Sequence, residues 1–163
     1  MCAAALCVSH VAFAECNTQA CDREGITDTE IKIGSACALS GPLVVYSPIH
    51  QGMKAAFDKK NSEGGVHGRK INFIYYDHAY STTKAVEQVK RLIDQDKVFA
   101  MVGLLGTPPF LATEPMLKER MISNINVVTG STTLIDNPVK HYPSWVFLPS
   151  YASYTYGMLT AIA

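Results

Sequence analysis

The sequence predicts an α/β fold in which a parallel sheet carries helices on both faces. Short strand-like segments begin near residues 31, 70, 97, 122 and 145, and helical patterns separate most of them. The first and third of these segments are almost continuously apolar, as in strands that are buried on both faces. Strands that alternate with helices are joined by right-handed crossovers, which place helices on both sides of a parallel sheet.

The composition restricts the class of protein. Apolar residues make up 48% of the 163 residues and charged residues 17%, with 14 basic against 14 acidic side chains. This balance provides no electrostatic attraction for nucleic acid or for an anionic membrane surface. The chain is too apolar for a disordered protein, and no interior apolar run has the length of about 18 residues that a membrane helix needs. A globular domain remains.

The first 14 residues have the features of a signal peptide. Residues 2–14 carry no Asp, Glu, Lys or Arg and end in Ala12-Phe13-Ala14, which is typical of a signal-peptidase site before Glu15. A short buried helix is the alternative. A signal peptide predicts export and, in a bacterium, a periplasmic location.

Export affects the interpretation of the cysteines. Cys16 and Cys21 stand close together after the predicted cleavage site, so in an oxidising compartment they are candidates for a disulfide. Metal binding is the alternative for this pair, although no second cysteine pair or suitable histidine pair follows it. Cys37 lies in an apolar strand and is expected to be a buried thiol.

The first strand and helix are predicted from an apolar run and a cap signal. The strand covers Ile31 to Leu39, and Ser47-Pro48 is expected to cap and begin the helix. Gly64-Gly65 ends it. The predicted apolar stripe of this helix is Ile49, Met53, Ala56 and Phe57.

The next unit repeats the pattern. The second strand, Lys70 to Tyr76, is rich in β-branched and aromatic residues. Ser81 is expected to cap the second helix. The predicted apolar stripe of that helix is Ala85, Val86, Val89, Leu92 and Ile93.

The remaining elements follow in the same alternation. The third strand is Val98 to Val102, and a helix with Pro115 inside it follows, at a cost of about 3 kcal/mol or a kink. Strands four and five are predicted at Ile122 to Val128 and Trp145 to Leu148. A last helix begins near Ala152.

Three loops follow predicted strands at one edge of the sheet, at residues 40–47, 103–108 and 129–133. Ligands of open α/β sheets bind at this edge, where helix N-termini also point. We expect an aromatic wall and several hydroxyl groups to converge there, from Tyr46, Thr107, Ser131 and Thr132. The alternative for Thr107 is a helix cap, and for Thr132-Thr133 a turn.

The sequence offers little for catalysis. Nucleophile-elbow, phosphate-loop and dinucleotide-binding motifs are all absent, and the five histidines lack metal-ligand spacing. No cofactor is expected. Asp77-His78 could suggest an acid–base pair, but adjacent residues of an extended segment point to opposite sides, so a turn role for Asp77 is favoured.

Several segments in order resemble the first lobe of the type I periplasmic binding proteins, in the leucine/isoleucine/valine-binding branch that serves ABC importers. They are DTEIKIG (28–34), LSGPLVVY (39–46), NSEGGVHGRKINFIYYD (61–77), AVEQVKRLIDQDKVFAMVGLLGT (85–107), TGST (129–132) and PSWVFLPSY (143–151). GTPPFLAT and YPSWVFLPSY resemble more closely the sub-branch that includes binders of aromatic acids. The resemblance implies that residues 15–149 are the N-terminal ligand-binding lobe and that residues 150–163 begin a truncated second lobe.

The resemblance also implies roles for individual residues. Tyr46 would form a wall of the ligand site, Thr107 would bind a carboxylate with Leu105 and Gly106 beside it, and an α-ammonium would contact Gly130, Ser131 and Thr132. Pro108 and Pro109 depart from the amino-acid binders, which have further hydroxyl residues there. Since proline lacks an N–H, the backbone after Thr107 offers fewer donors to a carboxylate.

The expected function is therefore solute binding for an ABC importer. The ligand would be a branched-chain amino acid or a related aliphatic or aromatic carboxylate, held between two lobes, and the partner would be an inner-membrane ABC permease. A ligand-sensing module on the same fold, which signals to a partner, is the alternative. An enzyme on this scaffold would need an activated nucleophile or a cofactor loop that the sequence does not contain.

Overall fold

Four parallel strands form one sheet in the order β2-β1-β3-β4 in the computed structural model, which describes residues 24–146, 148, 150–153 and 155. The strands are β1 (Glu30–Cys37), β2 (Lys70–Asp77), β3 (Ala100–Val102) and β4 (Asn124–Ile125). The helices are α1 (Ser47–Ser62), α2 (Thr82–Asp94), α3 (Thr107–Glu119) and α4 (Thr132–Ile135), with 3₁₀ turns at Val44–Tyr46 and Pro138–His141. The predicted α/β class with a parallel sheet is confirmed.

The side chains of β2 show how the sheet is covered on both faces. Phe73 stacks on Tyr75 and meets Phe57 of α1 edge-on, each pair with ring centroids 5.1 Å apart. Tyr76, the next residue, points to the other face and packs against the main core. The guanidinium carbon of Arg91 in α2 lies 4.3 Å from the centroid of the Tyr76 ring. Successive residues of a strand point to opposite faces, so α1 and α2 cover different sides of β2.

The main core lies between the sheet and the packed pair α2 and α3. It consists of fully or almost fully buried apolar side chains, among them Val89, Leu92, Ile93, Met101, Leu104, Phe110 and Leu117. The predicted stripe of α2 is confirmed in Ala85, Val89, Leu92 and Ile93, which are all buried. The Ser81 cap is also confirmed, since its hydroxyl accepts the N–H of Lys84 at 3.4 Å.

Helix α1 differs from its prediction at its start and on its buried face. Ser47 is already helical after the 3₁₀ turn and makes no capping bond, so the predicted Ser47 cap is wrong. His50 is the buried residue of α1, whereas Ile49 and Ala56 are exposed. A histidine therefore occupies the face that was assigned to an apolar stripe.

The last two predicted strands are much shorter than expected. β4 has two residues, because Asn126 adopts a left-handed conformation (φ 58°) that an extended strand cannot contain. Just before the predicted fifth strand, a parallel bridge joins Asn124 to Ser144, and Phe147 lies outside the described residues. In the described part of the chain, this bridge stands in place of the predicted strand.

Helix α3 contains Pro115, as predicted. Proline cannot donate to the carbonyl of Leu111 four residues earlier, but both residues lie on the exposed side of the helix. Water can therefore satisfy the carbonyl.

None of the helices in the described part of the chain is long and apolar enough to cross a membrane.

Candidate ligand-binding site

A pocket opens at the carboxyl edge of the sheet, where the order of the strands reverses. The chain passes from β1 to β2 on one side and continues on the other side with β3 and β4. Small molecules bind at such a reversal in open α/β sheets. The cavity has a volume of about 320 Å³, which lies within the usual range of small-molecule sites.

The walls of this pocket are apolar and aromatic. The lining residues are Leu43, Tyr46, Tyr80, Leu105, Gly106, Val128, Thr129, Gly130, Leu148 and Tyr151. None of them carries a charge at neutral pH. Burial raises the pKa of Tyr80, and the nearby phenols of Tyr151 and Tyr46 raise it further. Three tyrosines therefore lie close together in a site of low polarity.

The pocket includes some of the predicted site residues. Tyr46, Leu105, Gly106 and Gly130 line it. Thr107, Ser131 and Thr132 each follow a lining glycine or its neighbour in sequence, but they are not among the lining residues.

Thr107 contributes to the pocket through another hydroxyl residue. Gly106 occupies the cap position of α3, so Thr107 is the first helical residue and not a cap. Its Oγ1 lies 2.6 Å from Oγ1 of Thr129, a buried residue that lines the pocket. The two prolines that follow leave Thr107 with the only N–H of the first three residues of α3.

The hydroxyl groups after β4 satisfy one another. Ser131 donates its N–H to Oγ1 of Thr129 at 3.1 Å, and its own hydroxyl lies 2.8 Å from that of Thr133. Thr132 begins α4 and is exposed. The alternative of a turn at Thr132-Thr133 is therefore wrong, because both residues belong to α4.

Six lining residues were missed by the sequence analysis: Leu43, Tyr80, Val128, Thr129, Leu148 and Tyr151. Thr129 stands in the same loop as the residues that were named, and its hydroxyl could have been considered with theirs. Tyr80 follows β2, whose loop was not assigned to the ligand edge. The parallel sheet nevertheless contained a signal for Tyr80, because the loop after β2 lies beside the loop after β1.

Asp77 and His78 point to different parts of this edge, as predicted. The Oδ1 of Asp77 accepts the N–H groups of Leu39, Ser40 and Ala79 at 2.8, 3.3 and 2.8 Å, and the Ser40 hydroxyl donates to Oδ2 at 2.5 Å. Burial raises the pKa of this carboxyl, but these hydrogen bonds bring it below its ordinary value. The carboxylate holds the loops after β1 and β2 together.

His78 is fully buried and connects the loops after β2 and β3. Its Nε2 lies 3.1 Å from the carbonyl oxygen of Leu105, and its Nδ1 accepts the N–H of Tyr80 at 2.9 Å. These partners require a neutral ring that is protonated on Nε2. Burial lowers the pKa of His78, in agreement with the neutral form.

A second buried histidine supports the loop after β3 from α1. His50 Nε2 lies 2.9 Å from the Ser35 hydroxyl and 3.1 Å from the carbonyl oxygen of Gly103. A serine beside a histidine can suggest a nucleophile and its base, but both side chains are completely buried. Because a substrate cannot reach them, they serve the packing of the sheet.

Of the cysteines discussed above, Cys37 lies in the described part of the chain, and Cys16 and Cys21 do not. Cys37 is a buried free thiol, as predicted, and burial followed by the charge of Asp77 raises its pKa to about 12. Cys16 and Cys21 lie outside the described residues, as does the predicted signal peptide. Within the described residues, no three His, Cys, Asp or Glu side chains form a cluster that could hold a metal ion.

The chain matches a family model described as periplasmic binding protein over residues 30–163. It is 33% identical over 110 residues to an amino acid binding protein of Pseudomonas aeruginosa, a match that covers 60% of this chain and 29% of the relative.

Solved structures show the same fold. A possible leucine/isoleucine/valine-binding protein of Rhodopirellula baltica is 27% identical with a TM-score of 0.73, over 82% of this chain and 36% of that one. The branched-chain amino acid transporter substrate binding protein of Streptococcus pneumoniae, solved with isoleucine, is 25% identical with a TM-score of 0.67, over 75% of this chain and 34% of that one.

The chain thus spans about a third of the length of these relatives. Its sheet order, its pocket at the strand reversal and the family match over most of its length agree with one another. The chain belongs to the periplasmic binding protein family.

Proposed function

We propose that this protein is the solute-binding component of an ABC importer and that its pocket binds a small hydrophobic carboxylate. The single observation that carries the proposal is the composition of the pocket, which is aromatic and apolar with no charge among its described lining residues. Such a surface favours the apolar part of a ligand. The Thr129–Thr107 hydroxyl pair and the backbone at Gly106 and Gly130 are the polar groups that would orient its head.

The ligand class includes branched-chain amino acids and aliphatic or aromatic acids. The relatives named above include an amino acid binding protein and a protein solved with isoleucine, which supports this class. Because the chain spans about a third of their length, the delivery of a ligand to an inner-membrane permease is part of the proposal. So are the export of the protein by residues 1–14 and its periplasmic location.

Binding without chemical conversion is part of the same proposal. Among the described residues that line the pocket, the titratable groups are tyrosine phenols, and burial raises the pKa of Tyr80. A phenol with a raised pKa is a weak general base at neutral pH. Incubation of the protein with each ligand should therefore return the ligand unchanged.

The test uses the full-length protein as its gene encodes it. Leucine, isoleucine, benzoate and glucose are added at millimolar concentration, and the melting temperature is measured. A ligand that binds only the folded state raises it. The proposal predicts a rise with at least one of the three carboxylates and none with glucose; a rise with glucose alone would contradict it.

A pair of variants tests the polar end of the pocket. Thr129→Val removes the hydroxyl that lines the pocket and leaves Thr107 without its partner. We expect affinity for the carboxylate to fall by about 1–3 kcal/mol, or roughly 5- to 150-fold, in titration calorimetry. Thr83→Val, on the exposed side of α2, is the matched control and should leave the affinity unchanged.

A further inference from the structure

Tyr80 has an unusual backbone conformation at the side of the pocket. It and Ala79 have φ angles of 62° and 49°, which place two successive residues with side chains in the left-handed region. Residues other than glycine adopt this region rarely, and they retain it where surrounding contacts leave no alternative. The contacts around Tyr80 are therefore informative.

Three hydrogen bonds hold this segment. Asp77 Oδ1 accepts the N–H of Ala79 at 2.8 Å, and His78 Nδ1 accepts the N–H of Tyr80 at 2.9 Å. The carbonyl oxygen of His78 accepts the N–H of Ser81 at 2.7 Å. Since the other nitrogen of His78 contacts the carbonyl oxygen of Leu105, one buried ring determines the position of Tyr80 relative to the loop after β3.

The phenol ring of Tyr80 lies directly against the backbone of that loop. A Cβ atom at Gly106 would be only 2.5 Å from Cε2 of Tyr80, so a side chain at 106 would displace the ring. The φ angle of Gly106 (96°) also favours glycine. Gly106 and His78 together place the Tyr80 ring as a fixed wall of the pocket.

Tyr151 repeats this arrangement on the opposite loop. A Cβ atom at Gly130 would lie 2.6 Å from two atoms of the Tyr151 ring, and the N–H of Tyr151 donates to the carbonyl oxygen of Gly130 at 2.7 Å. With Tyr46, the pocket is bounded by three aromatic rings. Such rings gain an additional attraction from an aromatic ligand through offset or edge-on contacts, whereas a branched alkyl chain gains only from burial.

We propose that Tyr80 is a specificity-determining residue, and that His78 positions its ring so that the pocket prefers carboxylates that carry an aromatic ring. This inference deepens the proposed function and depends on it. Tyr80 supplies the contact with the ligand, and His78 acts through Tyr80.

The experiment compares ligands that share a polar head and differ in the apolar part. Phenylalanine is paired with leucine, and benzoate with 3-methylbutanoate, and their affinities for the full-length protein are measured by titration calorimetry. We expect the ring-bearing member of at least one pair to bind more tightly. In Tyr80→Ala, its affinity should fall about tenfold, whereas that of its aliphatic partner should fall less than about threefold.

Three further variants separate the roles. Tyr80→Phe keeps the ring and should keep the preference, and Tyr142→Ala, a tyrosine that does not line this pocket, should leave both affinities unchanged. His78→Ala should reduce the preference for the ring. His78→Asn, which retains an acceptor for the Tyr80 N–H, should restore much of it. A general loss of stability would instead lower both affinities together.

The outcomes distinguish this inference from the proposed function. If the wild type binds the aliphatic acids as tightly as their aromatic partners, or if Tyr80→Ala lowers both by one factor, the inference is wrong and carboxylate binding stands. If the wild type binds none of the four acids, both are wrong. A preference for the ring that disappears in Tyr80→Ala and persists in Tyr80→Phe supports both.

Discussion

Asp77 illustrates how much one side chain contributes at the edge of this sheet. Its carboxylate accepts three N–H groups and one hydroxyl, from the loops that follow β1 and β2. These loops carry Tyr46 and Tyr80 into the pocket. A residue that does not line the site therefore controls the separation of two of its walls.

We predict that Asp77→Asn destabilises the fold by about 1–3 kcal/mol at pH 7, because hydrogen bonds to a charged acceptor are lost. The folded-state pKa of Asp77 lies below its ordinary value of 3.8, so this contribution is present above pH 3.8 and is lost as the pH falls through the folded-state pKa. Urea unfolding from pH 7 to pH 3 should show the difference between wild type and variant narrowing. Asp28→Asn, at an exposed position, should show no such difference.

At the scale of elements, the sequence pattern predicted β1, β2, β3 and α2 well. The predictions of β4 and of the buried face of α1 were less accurate, because they depend on backbone conformation and on a buried polar side chain. Apolar runs located β1 and β3, and a segment rich in β-branched and aromatic residues located β2, each to within about two residues. β4 is short because Asn126 has a left-handed backbone, which no apolar pattern reveals. The predicted stripe of α1 holds for Met53 and Phe57, which are half-buried, and fails for Ile49 and Ala56, which are exposed. His50 takes the fully buried position because Ser35 and Gly103 satisfy its Nε2.

Topology predicted only part of the candidate site. Parallel strands place the loops after β1, β3 and β4 at one edge, and of the residues named on that ground Tyr46 lines the pocket. Leu105, Gly106 and Gly130, which also line it, were implied by the family resemblance. The loop of Tyr80, after β2, lies at the same edge of the sheet. The sequence does not show that the ring enters the pocket, because its position depends on the left-handed turn of residues 79–80 and on the contacts of His78.

The contact between α3 and the 3₁₀ turn Pro138–His141 depends on the buried carboxylate of Glu114. Glu114 Oε1 lies 2.6 Å from Nδ1 of His141 and 2.8 Å from Nζ of Lys118. Burial raises the pKa of Glu114, but hydrogen bonds from Lys118 and His141 lower it below its ordinary value. This 3₁₀ turn lies three residues before Ser144, which forms the parallel bridge to Asn124.

We predict that Glu114→Gln destabilises the protein by about 2 kcal/mol at pH 7, since Lys118 and His141 lose the carboxylate that lies within hydrogen-bond distance of both. Glu114 stabilises the fold above its ordinary pKa of 4.5, and this contribution disappears as the pH falls through the lower folded-state value. Denaturant unfolding at pH 7 and pH 3 measures both effects. Glu119→Gln, exposed on the same helix, is the control. An equal loss of stability in both variants would contradict the stabilising role of the Glu114 carboxylate.

At the scale of the whole molecule, two buried histidines connect both layers of helices to the loop that forms the pocket floor. His50 reaches the carbonyl oxygen of Gly103 from α1, and His78 reaches that of Leu105 from the loop before α2. Both rings are fully buried, and burial lowers the pKa of both. Acid is therefore expected to weaken the fold and the pocket together.

We predict that His50 makes stability depend on pH between about 6.5 and 4. Burial lowers its pKa from 6.5 to about 4, so as the pH falls the unfolded chain binds a proton at His50 before the folded chain does. Stability is therefore full above pH 6.5 and declines by up to about 3 kcal/mol as the pH approaches 4. His50→Gln keeps an amide donor for Gly103 but does not titrate. In urea unfolding across this range, its free energy of unfolding should therefore fall less steeply with pH than that of the wild type, by the slope that uptake of about one proton produces. His67→Gln, whose side chain is not buried, is the matched control. Parallel stability curves for wild type and His50→Gln would mean that His50 does not supply this dependence, and the acid sensitivity of the fold would then have to come from His78 and the carboxylates.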